Sequence, residues 1–263
     1  MIPRARASRA LGGVVAALMA ASAVATEASA SYCTLHRHGG QSHAVCSAEA
    51  DADLRLFLTD TDGATLGSFQ RIDEMLAEEG ARLGFAMNAG MYHPDRRPVG
   101  LYVEAGEERA PIVTREGPGN FGLLPNGVFC IRDDGFDVIE SRAYAETRPD
   151  CRHASQSGPM LVIDGALHPR FLEGSDSLRV RNGVGVSADG QTAYFVMSAG
   201  QVNFHDFAVF FRDGLGVPQA LYFDGNVSRL HAPGLGRSDW GLPMGPVVGL
   251  VVDAVVDGDP ASE

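Results

Sequence analysis

Short apolar runs, broken every few residues at glycine-bearing turns, constrain the fold of this chain more than any other feature. PVGLYVEAG, NGVFCIRDDGFDVIES, GPMLVIDGAL, NGVGVSADGQTAYFVMS and ALYFDGNVSRL each read as strand, turn, strand, and several pivot on an Asp-Gly pair. Asp-Gly between apolar runs is a strong hairpin signal, because Gly accepts the positive φ of a tight turn. LRLFLTD (54–60) alternates as a strand, and RLGFAMNAG enters a short buried strand ending at Asn88. Only two segments carry helical spacing. Phe69, Ile72, Met75 and Leu76 share one face of SFQRIDEMLAEEG, with Ser68 as N-cap and Gly80 as stop. Phe204, Phe207, Ala208 and Phe211 do the same in FHDFAVFFRDGLG, with Gly214 or Gly216 as C-cap. Most strands are thus joined by turns rather than by helices, which predicts an α+β fold over a regular βαβ series. The expectation is a β-rich mixed sheet core with a few packed helices, in a single domain.

The first thirty residues read as an address rather than as fold. Arg4, Arg6 and Arg9 precede the apolar run LGGVVAALMAASAVA, and TEASA supplies an A-x-A-like site. This is the layout of a secretory signal peptide, too short to span a bilayer. Cleavage is expected after Ala30, with Ala25 as the alternative; Tyr32 is too large for the position before a lipidated Cys33. Residues 31–263 then form the domain, periplasmic or secreted, with no later membrane span. Removing the three Arg and one Glu of the leader takes the formal net charge from −12 to −14. So acidic a surface argues against nucleic acid and anionic membranes as partners. The four cysteines, Cys33, Cys46, Cys130 and Cys151, suit two disulfides in an oxidising compartment. Of the three possible pairings, nearness in sequence favours Cys33–Cys46 and Cys130–Cys151. His36, His38 and His43 between the first two cysteines also suggest a metal set, but the compartment favours the disulfide.

Four segments place polar or Gly-rich signatures at the ends of apolar strands: NAGMY (88–92), QSGPML (156–161), RVRNGVGV (179–186) and FDGNVS (223–228). Taken singly, turn chemistry accounts for each of them. Together with Pro98-Val99-Gly100-Leu101, and in this order, they resemble the phosphodiester glycosidase family. The family pattern runs N-G-G-[MF]-[FY], P-x-G-L, Q-S-G-P-x-L, R-x-x-[VI]-G, D-G-G-x-S. It meets this chain at Asn88-Ala89-Gly90-Met91-Tyr92, Gln156 to Leu161, Arg181 to Gly185, and Asp224 to Ser228, over roughly residues 80–252. Ala89 and Asn226 replace family glycines, which would permit close backbone approach or positive φ.

The resemblance implies hydrolysis of a sugar C1–O bond whose leaving group is a phosphate monoester, so the expected partner is a glycan or sugar phosphodiester. Ordinary glycosidases need one carboxyl to protonate the departing oxygen. A phosphate monoester, with its last pKa at about 6, needs little protonation and gains more from cationic and hydrogen-bonding support. Arg181 is expected to hold the phosphate, through its bidentate fork. Asp224 is expected at the anomeric carbon, ahead of Glu104 and Asp164, because a carboxylate closing an apolar strand is costly unless bonded or functional. Asn88, Gln156, Ser157, Asn182 and Ser228 would bond sugar hydroxyls or phosphate, Gly90 would border the site, and His205 would serve as acid–base. No cofactor or metal motif is called for. A non-catalytic envelope carbohydrate- or phosphate-binding module is the competing reading, and a metal-dependent hydrolase a third. The absence of a G-x-S-x-G elbow, a Walker loop and H-E-x-x-H argues against serine hydrolases, NTPases and zincins.

Overall fold

A computed structural model describes Met1 and residues 31–254; the expected leader, Met1 apart, lies outside these residues. Along the chain run β1 (Cys33–His38), β2 (Gln41–Glu49), β3 (Leu54–Phe57), α1 (Phe69–Ala77), β4 (Ala81–Asn88), β5 (Tyr102–Glu104) and β6 (Glu107–Ala110). There follow β7 (Gly127–Ile131), β8 (Phe136–Glu140), α2 (Ser141–Thr147), β9 (His153–Ser157), β10 (Met160–Ile163), β11 (Ala166–Leu167), β12 (Asn182–Val186) and β13 (Thr192–Ser198). The last elements are α3 (Phe204–Val209), continued by a π-helical turn Phe210–Gly214, then β14 (Gln219–Asp224), β15 (Leu230–Ala232), a 3₁₀ turn Pro233–Leu235, β16 (Arg237–Ser238) and β17 (Val247–Asp253).

The strands form three sheets, ordered β1-β2-β13-β12-β14-β10-β11, β16-β15-β4-β17-β3 and β6-β5-β9-β7-β8. Each pairing between named strands is antiparallel, so the fold is α+β as the spacing predicted. One face of every sheet contributes to a shared central core: Phe195, Leu221 and Phe223 from the first, Phe85 and Met87 from the second, Tyr102 and Phe129 from the third. Each opposite face is covered by one helix. Phe207 of α3 packs on Val196 and Tyr222, Ile72 and Leu76 of α1 on Leu83 and Ala86, and Tyr144 of α2 on Val128 and Ala154. The period of two along a strand makes this division. In β14, Leu221 and Phe223 enter the centre while Ala220 and Tyr222 face α3.

Local signals act where expected. The Ser68 hydroxyl caps α1 by accepting from Arg71 N at 3.3 Å, and Gly80 takes the left-handed φ of +73° beyond the helix end. The hairpins β5–β6, β7–β8, β10–β11 and β12–β13 form at their predicted turns. ALYFDGNVSRL does not form one: β14 lies in the first sheet and β15 in the second, and Gly225 does not adopt positive φ. Helix α2 was not anticipated, because seven residues are too few for a period to declare itself. Its N-terminus is held by the Glu140 carboxylate, which accepts from Arg142 N and Ala143 N.

The cysteines pair 33–46 and 130–151. That consumes both thiols of the suggested N-terminal metal set. His43 is buried and stacked on Phe210 with ring centroids 4.0 Å apart, and its pKa is lowered to about 4 by burial, then by His38 and His36. It is a core residue that stays neutral.

Candidate active site

Three strand ends converge on Asp224. Asn88 ends β4, Asn182 begins β12 opposite Asp224 in register, and Asp224 ends β14 where the chain leaves the first sheet for the second. Asn88 and Asn182 exchange side-chain amide hydrogen bonds across the sheets, Nδ2 to Oδ1 at 3.2 and 3.0 Å. Their remaining capacity holds the crossing segment. Asp224 N donates to Asn182 Oδ1 at 3.3 Å, Arg229 N donates to Asn88 Oδ1 at 3.0 Å, and Asn182 Nδ2 donates to Ser228 Oγ at 3.0 Å. Ser228 Oγ in turn donates to Val180 O at 3.0 Å. Two buried amides and a hydroxyl thus fix both ends of residues 224–229.

The Asp224 carboxylate is 7% exposed. Its Oδ1 accepts from Gly225 N at 2.6 Å and Asn226 N at 2.8 Å, and no ion pair reaches it among the described residues. Burial raises its pKa above the usual carboxylate value, opposed by the backbone N–H groups of Asn226, Gly225 and Val227. Asp224 lines a cavity of about 580 Å³ together with Tyr92, Arg96, Asn120, Phe121 and Asn226. Among the described residues it is the only carboxylate lining that cavity. The Arg96 guanidinium carbon stands 5.3 Å from the Tyr92 ring centroid, and burial, then Asp224, raises the Tyr92 pKa.

Several expected ligands lie elsewhere. Arg181, directly before β12, is 1% exposed and does not line the cavity; its guanidinium packs beneath the start of α3. Its Nε donates to Val202 O at 2.9 Å, its Nη2 to Ser177 O at 2.8 Å, and its Cζ sits 3.6 Å from the Phe204 ring centroid. Nη1 has no partner among the described residues. Tyr222 links it to the site: that hydroxyl's pKa is raised by burial, lowered by Arg181 and raised again by Asp224. Gln156 is a clamp rather than a ligand. Its Oε1 accepts from Leu101 N and Val113 N, both at 3.0 Å, and its Nε2 donates to Val113 O and Ser141 Oγ. Ser157 Oγ donates to Phe223 O at 2.8 Å, tying β9 to β14.

His205 pairs with its neighbour Asp206 at 3.1 Å at the start of α3, away from the cavity. Gly90 is a close approach, since a Cβ there would meet Ser155 Oγ at 2.8 Å. Glu104 pairs with Arg109, and Asp164 accepts from Gln219 Nε2 in a turn. Asn226 does not take the positive φ expected of a family glycine. At Gly225 proximity decides: a Cβ would lie 2.1 Å from Tyr222 Oη. The residues missed were His93, Arg96, Asn120 and Phe121, which line the cavity outside the five blocks, and Arg229, which immediately follows Ser228.

Three antiparallel sheets around one core, with strand ends converging on a single buried carboxylate in a cavity, define the class: an α+β domain with an enzyme-like pocket. The chain belongs to the phosphodiester glycosidase family, whose sequence profile matches residues 81–232. It is 33% identical over 187 residues to the uncharacterized protein YigE of Escherichia coli K12, covering 71% of this chain and 72% of that one. The fold is also similar to the zebrafish N-acetylglucosamine-1-phosphodiester alpha-N-acetylglucosaminidase catalytic domain auto-inhibited by its pro-peptide. The TM-score is 0.57 at 14% identity, over 83% of this chain and 81% of that one.

Proposed function

We propose that this protein is an exported glycosidase that hydrolyses the sugar C1–O bond of a sugar phosphodiester, with Asp224 at the anomeric carbon. The observation that carries this reading is the lone carboxylate in the cavity. A glycosidase with an alkoxide-like leaving group needs two carboxyls, one of them a proton donor. A phosphate leaving group does not, because its own acidity lets it depart unprotonated. In its carboxylate form Asp224 offers the oxygen that does not accept from Gly225 N and Asn226 N, to attack C1 or to deprotonate a water. Burial without a cationic partner keeps the carboxylate reactive instead of neutralising it in an ion pair. Arg181 acts at one remove, orienting Tyr222 beside Asp224. Export rests on the leader-like segment and the two disulfides.

The test is a screen of purified protein against sugar-1-phosphodiesters and aryl glycosides. Phosphodiesters should be cleaved with release of the phosphate monoester. Asp224→Asn should lower kcat by about a thousandfold, equivalent to about 4 kcal/mol, while the circular dichroism spectrum is retained. Hydrolysis confined to aryl glycosides would sink the phosphate-leaving-group argument. Tight binding without turnover in the wild type would favour a binding module.

A further inference from the structure

A second cavity of about 610 Å³ shares Asn226 and Val227 with the first, so the two are separated by one ridge of backbone. Its charged walls are Arg229, Arg237 and Asp239. Arg237 is spent on Asp239, donating from Nη2 at 2.6 Å and from Nε at 2.9 Å, and Asp239 also accepts from Leu230 N at 3.0 Å. Arg229 differs. It is 7% exposed, yet its guanidinium makes no hydrogen bond or ion pair among the described residues. Its guanidinium nitrogens keep contact with solvent, so the fork is available to an anion that enters the cavity. The guanidinium lies against Gly241, where a Cβ would come within 2.3 Å of Nη2 and would displace the fork from this position. Arg229 lines the second cavity, close enough to the first that its pKa, lowered by burial, is raised by Tyr92 of the first cavity as well as by Asp239 of the second. On the rim of the second cavity stands Trp240, the chain's single tryptophan, 94% exposed.

We infer that Arg229 binds the phosphate at the junction of the two cavities, and that the second cavity holds the group esterified beyond it, a ring that stacks on Trp240. The exposed indole face offers a stacking platform, and stacking plus a bidentate phosphate contact recognise a ring-bearing phosphate monoester. This rests on the phosphodiester glycosidase reading of Asp224, whose product such a monoester would be.

Binding can be tested without turnover. Trp240 fluorescence of the full chain is titrated with glucose 6-phosphate, inorganic phosphate and glucose as probes. Glucose 6-phosphate should give a saturable change that inorganic phosphate competes away, and glucose at equal concentration should give none. Arg229→Gln should weaken glucose 6-phosphate by about tenfold or more. In calorimetry, Trp240→Ala should weaken glucose 6-phosphate but leave inorganic phosphate unchanged. Because Trp240 is on the surface, that variant carries the test if the Arg229 substitution fails to fold. No saturable change in the wild type, or a folded Arg229→Gln protein that binds as the wild type does, overturns the assignment. An active hydrolase that fails this titration loses only the second cavity. A protein that binds but does not hydrolyse keeps the cavity and loses the catalytic reading.

Discussion

At the scale of single residues, Asp224 is held against its own electrostatics. Burial outweighs the three backbone N–H groups, so its folded pKa lies above the unfolded one. A carboxyl shifted upward binds its proton more tightly in the folded state. The stability it contributes is therefore present below the unfolded pKa and lost as pH rises through the folded pKa. Asp224→Asn removes the charge while keeping an oxygen for Gly225 N and Asn226 N. The melting temperature should rise in this variant at pH 7, and the gain should shrink as pH falls through the carboxylate range. A gain that is equal at all pH values would show that charge burial is not the cause. This is the trade expected at the catalytic position proposed for Asp224, where function is retained at the expense of stability.

At the scale of elements, the blocks that resemble the family divide into groups that face the cavity and groups that hold the facing ones still. Gln156 saturates its amide on three segments, around Leu101, Val113 and Ser141. Gln156→Ala would strand those partners in the interior. It should cost about 3 kcal/mol or more by urea denaturation, at roughly 1–3 kcal/mol per unsatisfied buried group. A loss under about 1 kcal/mol would mean that water replaces the amide. Helix α1 was legible because its cap, apolar face and stop are all local. The QSGPML block was legible as important but not as structural, because a buried amide and a substrate-binding amide look the same in sequence. Its role depends on Leu101 and Val113, some fifty and forty residues away.

At the scale of the whole molecule, the disulfides act on the unfolded chain. Cys33–Cys46 and Cys130–Cys151 close loops with sequence separations of 13 and 21. Chain-entropy arguments give each about 3 kcal/mol. Replacing either pair by Ala should lower the melting temperature by about 6–12 °C for a domain of this size. Dithiothreitol should reproduce the combined loss, and a melting temperature insensitive to reduction would place the stability in the shared core instead. The pairings could be chosen from nearness in sequence because two short loops are the cheaper closures.

The turn residues, the strand alternation and the two amphipathic faces were enough to specify an α+β domain and the positions of most hairpins, since these signals act over a few neighbours. The motif blocks and their order pointed to Asp224. Only the packing of the sheets decided that ALYFDGNVSRL crosses from one sheet to another instead of turning back, because no local signal says which strand Leu230 will pair with. The same packing turned Arg181 under α3 and placed Arg229 in the wall of the second cavity, without an ion pair among the described residues. Which way an arginine beside a strand end faces is set by what packs around it from other elements, and that is a property of the assembled core.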